Sequence, residues 1–165
     1  MRPQDVAVLI KILSVEDQAW QLSSLSVDLS ISISEISESL NRSKIAKLID
    51  HDKKKVHRQN LMEFLEHGIK YVFPIQPGSM VRGVPTAHTH PQLKKQFISE
   101  LNFVWPDNNG QKIGLLIEPL YLKQIQAAKK DDRFYLLMSL IDIIRVGKLR
   151  EVKYAISELK KWIIL

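Results

Sequence analysis

The sequence predicts a mainly α-helical fold with a small β portion (α+β). Three features point there. Apolar residues recur at helical spacing through most of the chain, the β-prone runs are short, and proline and glycine crowd into one central stretch. Of 165 residues, 45% are hydrophobic and 25% are charged, the balance of a globular chain that can close a core.

The first segment, Pro3 to Ser14, places Val6, Leu9, Ile10 and Leu13 on one helical face, with Pro3 suited to a first turn. The stretch from Trp20 through Arg42, within roughly residues 20–48, is the most informative. A helix-turn-helix needs two inward apolar residues four apart, which Leu25 and Leu29 supply. It then needs one buried apolar residue in the turn (Ile31) and a second helix with inward residues four apart (Ile36 and Leu40). Ser32 and Glu35 form an S-x-x-E capping box at the start of that helix. Ser30 stands where glycine is usual, and a positive φ there costs on the order of 1 kcal/mol. A strand competes: Val27, Leu29, Ile31 and Ile33 alternate with Asp28, Ser30 and Ser32. The alternation fails at Glu35, and the helical spacing accounts for more positions.

A further amphipathic helix, from Lys54 or Val56 to His67, turns Val56, Leu61, Phe64 and Leu65 inward, with Gly68 as its C-cap. Ile69 to Phe73 reads as a short strand ended by Pro74. Between residues 74 and 91 lie Pro74, Pro77, Gly78, Gly83, Pro85 and Pro91, a density that suits an ordered loop better than a helix or central strand. Phe103-Val104-Trp105, the turn Asp107 to Gly110, and Lys112 to Glu118 suggest a hairpin, because Asn-Gly favours that turn. Two long helices follow. Asp131 to Val146 is apolar almost all round and should be deeply buried, and Gly147 ends it. Leu149 to Ile163 repeats Leu149, Val152, Ile156, Leu159 and Ile163, and Trp162 to Leu165 either finishes the core or joins a dimer seam. The proline-rich stretch divides the chain into residues 1–75 and a C-terminal extension, residues 76–165.

The net charge of +6 is uneven. Residues 42–58 hold seven basic side chains (Arg42, Lys44, Lys47, Lys53, Lys54, Lys55, Arg58) and two acidic ones, just after the second helix of the pair. Phosphate contacts would be wanted there. In a helix-turn-helix the outward side chains Ser34, Glu35, Ser37, Glu38, Asn41 and Arg42 would meet base edges in the major groove. Lys44, Lys53, Lys54, Lys55 and Arg58 would flank them on the backbone. Residues 1–75 nevertheless balance at ten basic and ten acidic, which favours a rival class, a module docking a partner protein without DNA readout.

Other chemistry is sparse. The chain has no cysteine, so disulfides, thiolate metal sites and thiol nucleophiles are excluded. His88 and His90 have no carboxylate neighbour in sequence, which argues against a metal pair. No phosphate-cradling glycine loop, Ser/His/Asp arrangement or carboxylate pair is recognisable, so neither an enzyme nor a cofactor is expected. The apolar run Val6 to Leu13 is too short for a membrane span, and the chain reads as cytoplasmic. Asp142 sits on an otherwise apolar helix, where an unpaired carboxylate is costly; Arg145 at i+3, or Arg82 from the loop, is its expected partner.

Several motifs resemble a known family. They are Val72-Phe73-Pro74, Arg82-Gly83-Val84-Pro85-Thr86-Ala87-His88, Val104-Trp105-Pro106, and Gly114 with Glu118-Pro119-Leu120-Tyr121. Tyr135, Asp142, Arg145, Gly147, Arg150 and Glu151 complete the set. Together they resemble a bacterial family of winged-helix proteins of the MarR-like transcriptional-regulator type. That resemblance implies a winged helix-turn-helix with a helical extension, binding double-stranded DNA, and it favours His88 over His90 as a structural residue. It also groups Arg82, His88, Asp142, Arg145 and Arg150 as a loop-to-helix cluster. A homodimer is expected, since such readers commonly place two recognition helices on neighbouring half-sites.

Overall fold

The computed structural model describes residues 1–15 and 18–165. The described elements run α1 (Pro3–Ser14), α2 (Leu22–Leu29), α3 (Ile33–Ile45), α4 (Arg58–His67), α5 (Ile69–Val72), β1 (Met80–Pro85), β2 (Phe103–Pro106), β3 (Lys112–Leu116), α6 (Gln124–Ala128), α7 (Asp132–Val146) and α8 (Leu149–Ile163). Two short 3-10 turns, Ala87–Thr89 and Lys94–Gln96, lie between β1 and β2. The fold is α+β, helices dominating.

The segment with two candidate periods is helical. Leu25, Leu29, Ile36 and Leu40 are all buried, and Ile31 packs against them from the turn. Ser30 adopts φ 54°, ψ 42°, so the turn takes the left-handed conformation without a glycine. The Ser32 hydroxyl caps α3 by accepting from Glu35 N–H at 3.3 Å. Only half of the expected capping box forms, because the Glu35 carboxylate turns to Arg42 and Gln4 instead.

α1 is more central than its four-residue stripe suggests. Val6 through Ile10 and Ile12–Leu13 are all buried, since α2 and α3 cover one side of the helix and α7 the other. Even Lys11 is buried. Its ammonium reaches Asp131 at 2.7 Å and Asp28 at 3.3 Å, tying α1 to the start of α7 and to α2. Burial works against the Asp131 carboxylate, but Lys11, Ser14 and the Phe134 N–H outweigh it and hold its pKa below the ordinary value. One hydrophobic cluster runs through both halves of the chain.

Four expectations are corrected by the backbone. The helix expected from Lys54 or Val56 starts at Arg58, because Val56 pairs with Ile49 in an antiparallel bridge. Gly68 does not stop the chain in a left-handed cap; at φ −116° it leads directly into α5, where a strand was expected. The proline-rich stretch contains β1, the strand that pairs with both others. Finally, β2 and β3 are strands but not a hairpin: they run parallel, each antiparallel to β1, and the three close on themselves. Gly83 pairs with Pro106 on one side and Lys112 on the other. A Cβ on Gly83 would stand 2.0 Å from the Trp105 carbonyl oxygen, so closure at this point requires glycine. Asn-Gly indicates a turn, but here the turn swings the chain past Gly83 rather than back along β2.

Candidate functional site

The basic stretch after α3 folds as a small hairpin. Asp50 N–H donates to the Lys55 carbonyl and His57 N–H to the Leu48 carbonyl, both at 2.9 Å, around the Ile49–Val56 bridge. Asp50 builds the tip. Its carboxylate accepts from Lys54 N–H (2.7 Å) and Lys55 N–H (3.0 Å), which lowers its pKa below the ordinary aspartate value. Three consecutive lysines are thereby projected from a fixed turn beside α3.

Two side-chain contacts dock the hairpin. The Lys53 ammonium donates to Asn41 Oδ1 at 2.7 Å, and Lys54 Nζ lies 4.9 Å from the centroid of the Trp20 ring. A recess of about 110 Å³ between the hairpin and α3 is lined by Trp20, Ser37 and Lys53, among others. Trp20, which the sequence reading used only as a boundary, is thus part of the site.

The six α3 positions expected on the reading face divide. Ser34 and Glu38 are exposed; Ser37 and Asn41 are half-buried beside the hairpin. Glu35 and Arg42 turn the other way. The Arg42 guanidinium grips the fully buried Asp5 of α1 through Nε (2.9 Å) and an η nitrogen (2.7 Å), and reaches Glu35 at 2.7 Å. Hydrogen bonding to Asp5, more than any other contact, raises the already high Arg42 pKa. The pair clamps α3 to α1, which leaves Arg42 engaged inside the protein instead of free for phosphate. Asp5 was missed because an aspartate in a first helical turn ordinarily reads as an exposed dipole partner. Arg58 also points inward, donating to the Ile163 carbonyl at the end of α8. Among the described residues the side chains of Lys44 and Lys55 make no hydrogen bond or close ion pair, Lys55 acting on Asp50 only through its charge, and Lys55 is exposed.

The expected loop-to-helix cluster separates into three places. Asp142, 1% exposed, accepts from Thr86 Oγ1 (2.8 Å), Trp105 Nε1 (2.7 Å) and Arg145 (3.0 Å). Burial pushes its carboxyl above the ordinary value, against the pull of Arg145 and the two neutral donors. Arg145, not Arg82, is therefore the ion-pair partner, and it also holds the Phe73 carbonyl at 3.0 Å. Arg82 instead donates to the Gly110 carbonyl at 3.2 Å. His88 is buried with Nε2 2.9 Å from Glu151, between the rings of Phe97 and Phe103. Arg150 is exposed on the first turn of α8. His90 is buried against Tyr135, and desolvation lowers its pKa to about 4. Among the described residues no group of three or more possible ligands could hold a metal, and no helix is long and apolar enough to cross a membrane.

The class these features define is an α+β protein whose paired helices α2 and α3 stand beside a lysine-bearing hairpin. No protein-family model, curated protein or solved structure matches the chain.

Proposed function

We propose that this chain is a winged helix-turn-helix protein that binds double-stranded DNA and regulates transcription. The observation that carries the reading is the juxtaposition of α3 and the hairpin. The ridge Ser34, Glu38 and Asn41 is not packed against the C-terminal half, and the Lys53–Lys55 tip is docked on its flank through Asn41. In this reading α3 enters the major groove, Asn41 exchanges Lys53 for a base edge, and Lys44, Lys54 and Lys55 meet phosphates on either side. Glu35, Arg42 and Arg58 hold the reading helix and wing in place from within. The MarR-like resemblance and the local basic block support the same assignment, and neither catalysis nor a cofactor is part of it. The protein acts in the cytoplasm as a homodimer, with the exposed end Trp162, Ile164 and Leu165 contributing to the seam.

Selection of bound sequences from a random duplex pool tests this. Enrichment of a common motif is expected, with Asn41→Ala altering the preferred bases at one or two positions. An unenriched pool, with no duplex shift at low salt, would refute it. A second reading has its own observation: Ile33 and Ile45 on α3 are 51% and 82% exposed. Such apolar side chains suit a docked protein better than a phosphate backbone, so a protein-interaction module is the alternative. It is favoured if Ile45→Ser abolishes association with a partner while duplex binding is absent throughout.

A further inference from the structure

Arg150 is left over by the DNA-binding reading. It is exposed, has no side-chain partner among the described residues, and lies far along the chain from α3 and the hairpin. It lines a groove of about 460 Å³ between the Gln96–Ile98 segment and the first turns of α8. The walls are aromatic, the rings of Phe97 and Tyr154 meeting edge to face with centroids 5.2 Å apart. Lys148 and Arg150 supply two cations. Glu151, the one acid among the described lining residues, is already engaged: its carboxylate accepts from Lys148 N–H, lies 2.9 Å from His88 Nε2 and acts on Lys148 through its charge. The groove therefore combines apolar walls with two cations: Lys148, whose charge is shared with Glu151, and Arg150, which has no side-chain partner among the described residues.

Those two properties select a ligand class. A bare inorganic anion would use the cations and waste the aromatic walls, and a neutral aromatic molecule would do the reverse. We propose that the groove binds a nucleoside monophosphate, with the base against Phe97 and Tyr154 and the phosphate between Lys148 and Arg150. The planar guanidinium of Arg150 matches the phosphate oxygens in a bidentate fork. Aromatic rings accept any base through its π-face, so selectivity among bases is low. The volume lies within the range of small-molecule sites. The inference stands on the C-terminal half alone and does not depend on DNA binding.

Isothermal titration of the full chain with AMP, adenosine and inorganic phosphate tests it. AMP saturates with a Kd below about 1 mM, and adenosine and phosphate each bind at least roughly tenfold more weakly, because each keeps only one of the two contacts. Arg150→Ala weakens AMP binding roughly tenfold without moving the thermal midpoint. Tyr154→Leu weakens AMP and adenosine together and leaves phosphate unchanged. Failure of AMP to saturate by about 5 mM, equal affinities for AMP and adenosine, or wild-type AMP affinity in both variants would overturn the assignment.

Discussion

Replacing Asp142 by asparagine probes the contact that joins the small sheet to the helices. The carboxylate accepts three hydrogen bonds at 2.7–3.0 Å, from Trp105 of β2, Thr86 at the end of β1, and Arg145 one turn along α7. An asparagine of the same shape keeps one oxygen acceptor and presents an amide donor to groups that are themselves donors. At least one buried donor then loses its partner, at about 1–3 kcal/mol, and the Arg145 charge loses its counter-ion. Breaking a buried pair by removing one member costs about 3–5 kcal/mol, and the two effects describe the same loss rather than adding. For a chain of this size 1 kcal/mol corresponds to about 2–4 °C, so the thermal midpoint of Asp142→Asn falls by roughly 6–20 °C. Circular dichroism melts of the two proteins at pH 7 measure it, and the near-ultraviolet band of Trp105 reports loosening at the same site. A midpoint within about 2 °C of wild type would refute the pinning role.

Three other outcomes follow from the same structure. Gly83→Ala forces a Cβ to within 2.0 Å of the Trp105 carbonyl oxygen, and overpacking against backbone costs about 3 kcal/mol or more; an unchanged urea midpoint would show that the strands do not close there. Asp5→Ala removes the grip of α1 on Arg42 and destabilises by about 1–3 kcal/mol, the partial exposure of Arg42 tempering the effect; a double-mutant cycle with Arg42→Ala should show strong coupling, and additive losses would contradict the clamp. For His90, burial lowers the folded pKa to about 4 from the ordinary 6.5. The unfolded chain takes up a proton near 6.5 while the folded one resists until about 4, so stability is lost as pH falls between those values, by about 3 kcal/mol in total. Denaturant titrations from pH 7 to 4 in wild type and His90→Leu check this, and equal pH slopes in the two proteins would rule it out.

Legibility in the sequence followed the locality of each interaction. α2, α3, α7 and α8 were readable because their apolar spacing and the Ser32 cap are set within a few residues. The choice between strand and helix for residues 27–33 was decided by Glu35, one position that the strand period could not accommodate. β1 was hidden by Pro85 and the prolines that flank it, and by the distance along the chain to its partners, from Pro85–Val104 to Met80–Leu115. The Asn-Gly turn announced two strands correctly but could not tell that Gly83 lets them pass on opposite sides of a third. Within the site, the block of lysines was visible while its internal loyalties were not. Arg42 and Arg58 look like phosphate ligands in one dimension, and only the folded chain puts Asp5 and the Ile163 carbonyl within their reach. Asp142 was suspect from its apolar surroundings and the proline-rich loop was expected beside it, yet the loop reaches it through Thr86 rather than Arg82, and nothing in the sequence brought Trp105 to α7.

The central claim is that α3 and the hairpin form a duplex-binding surface whose affinity comes largely from phosphate contacts. Its most direct test is the salt dependence of duplex binding by fluorescence anisotropy, comparing wild type with Lys44→Ala/Lys55→Ala, whose side chains make no hydrogen bond or close ion pair among the described residues. Each phosphate contact contributes roughly 0.9 to the slope of log K against log salt, so the double variant should show a slope shallower by about 2 with an unchanged melting midpoint. A slope identical to that of wild type, or no duplex binding by either protein at low salt, would contradict the account.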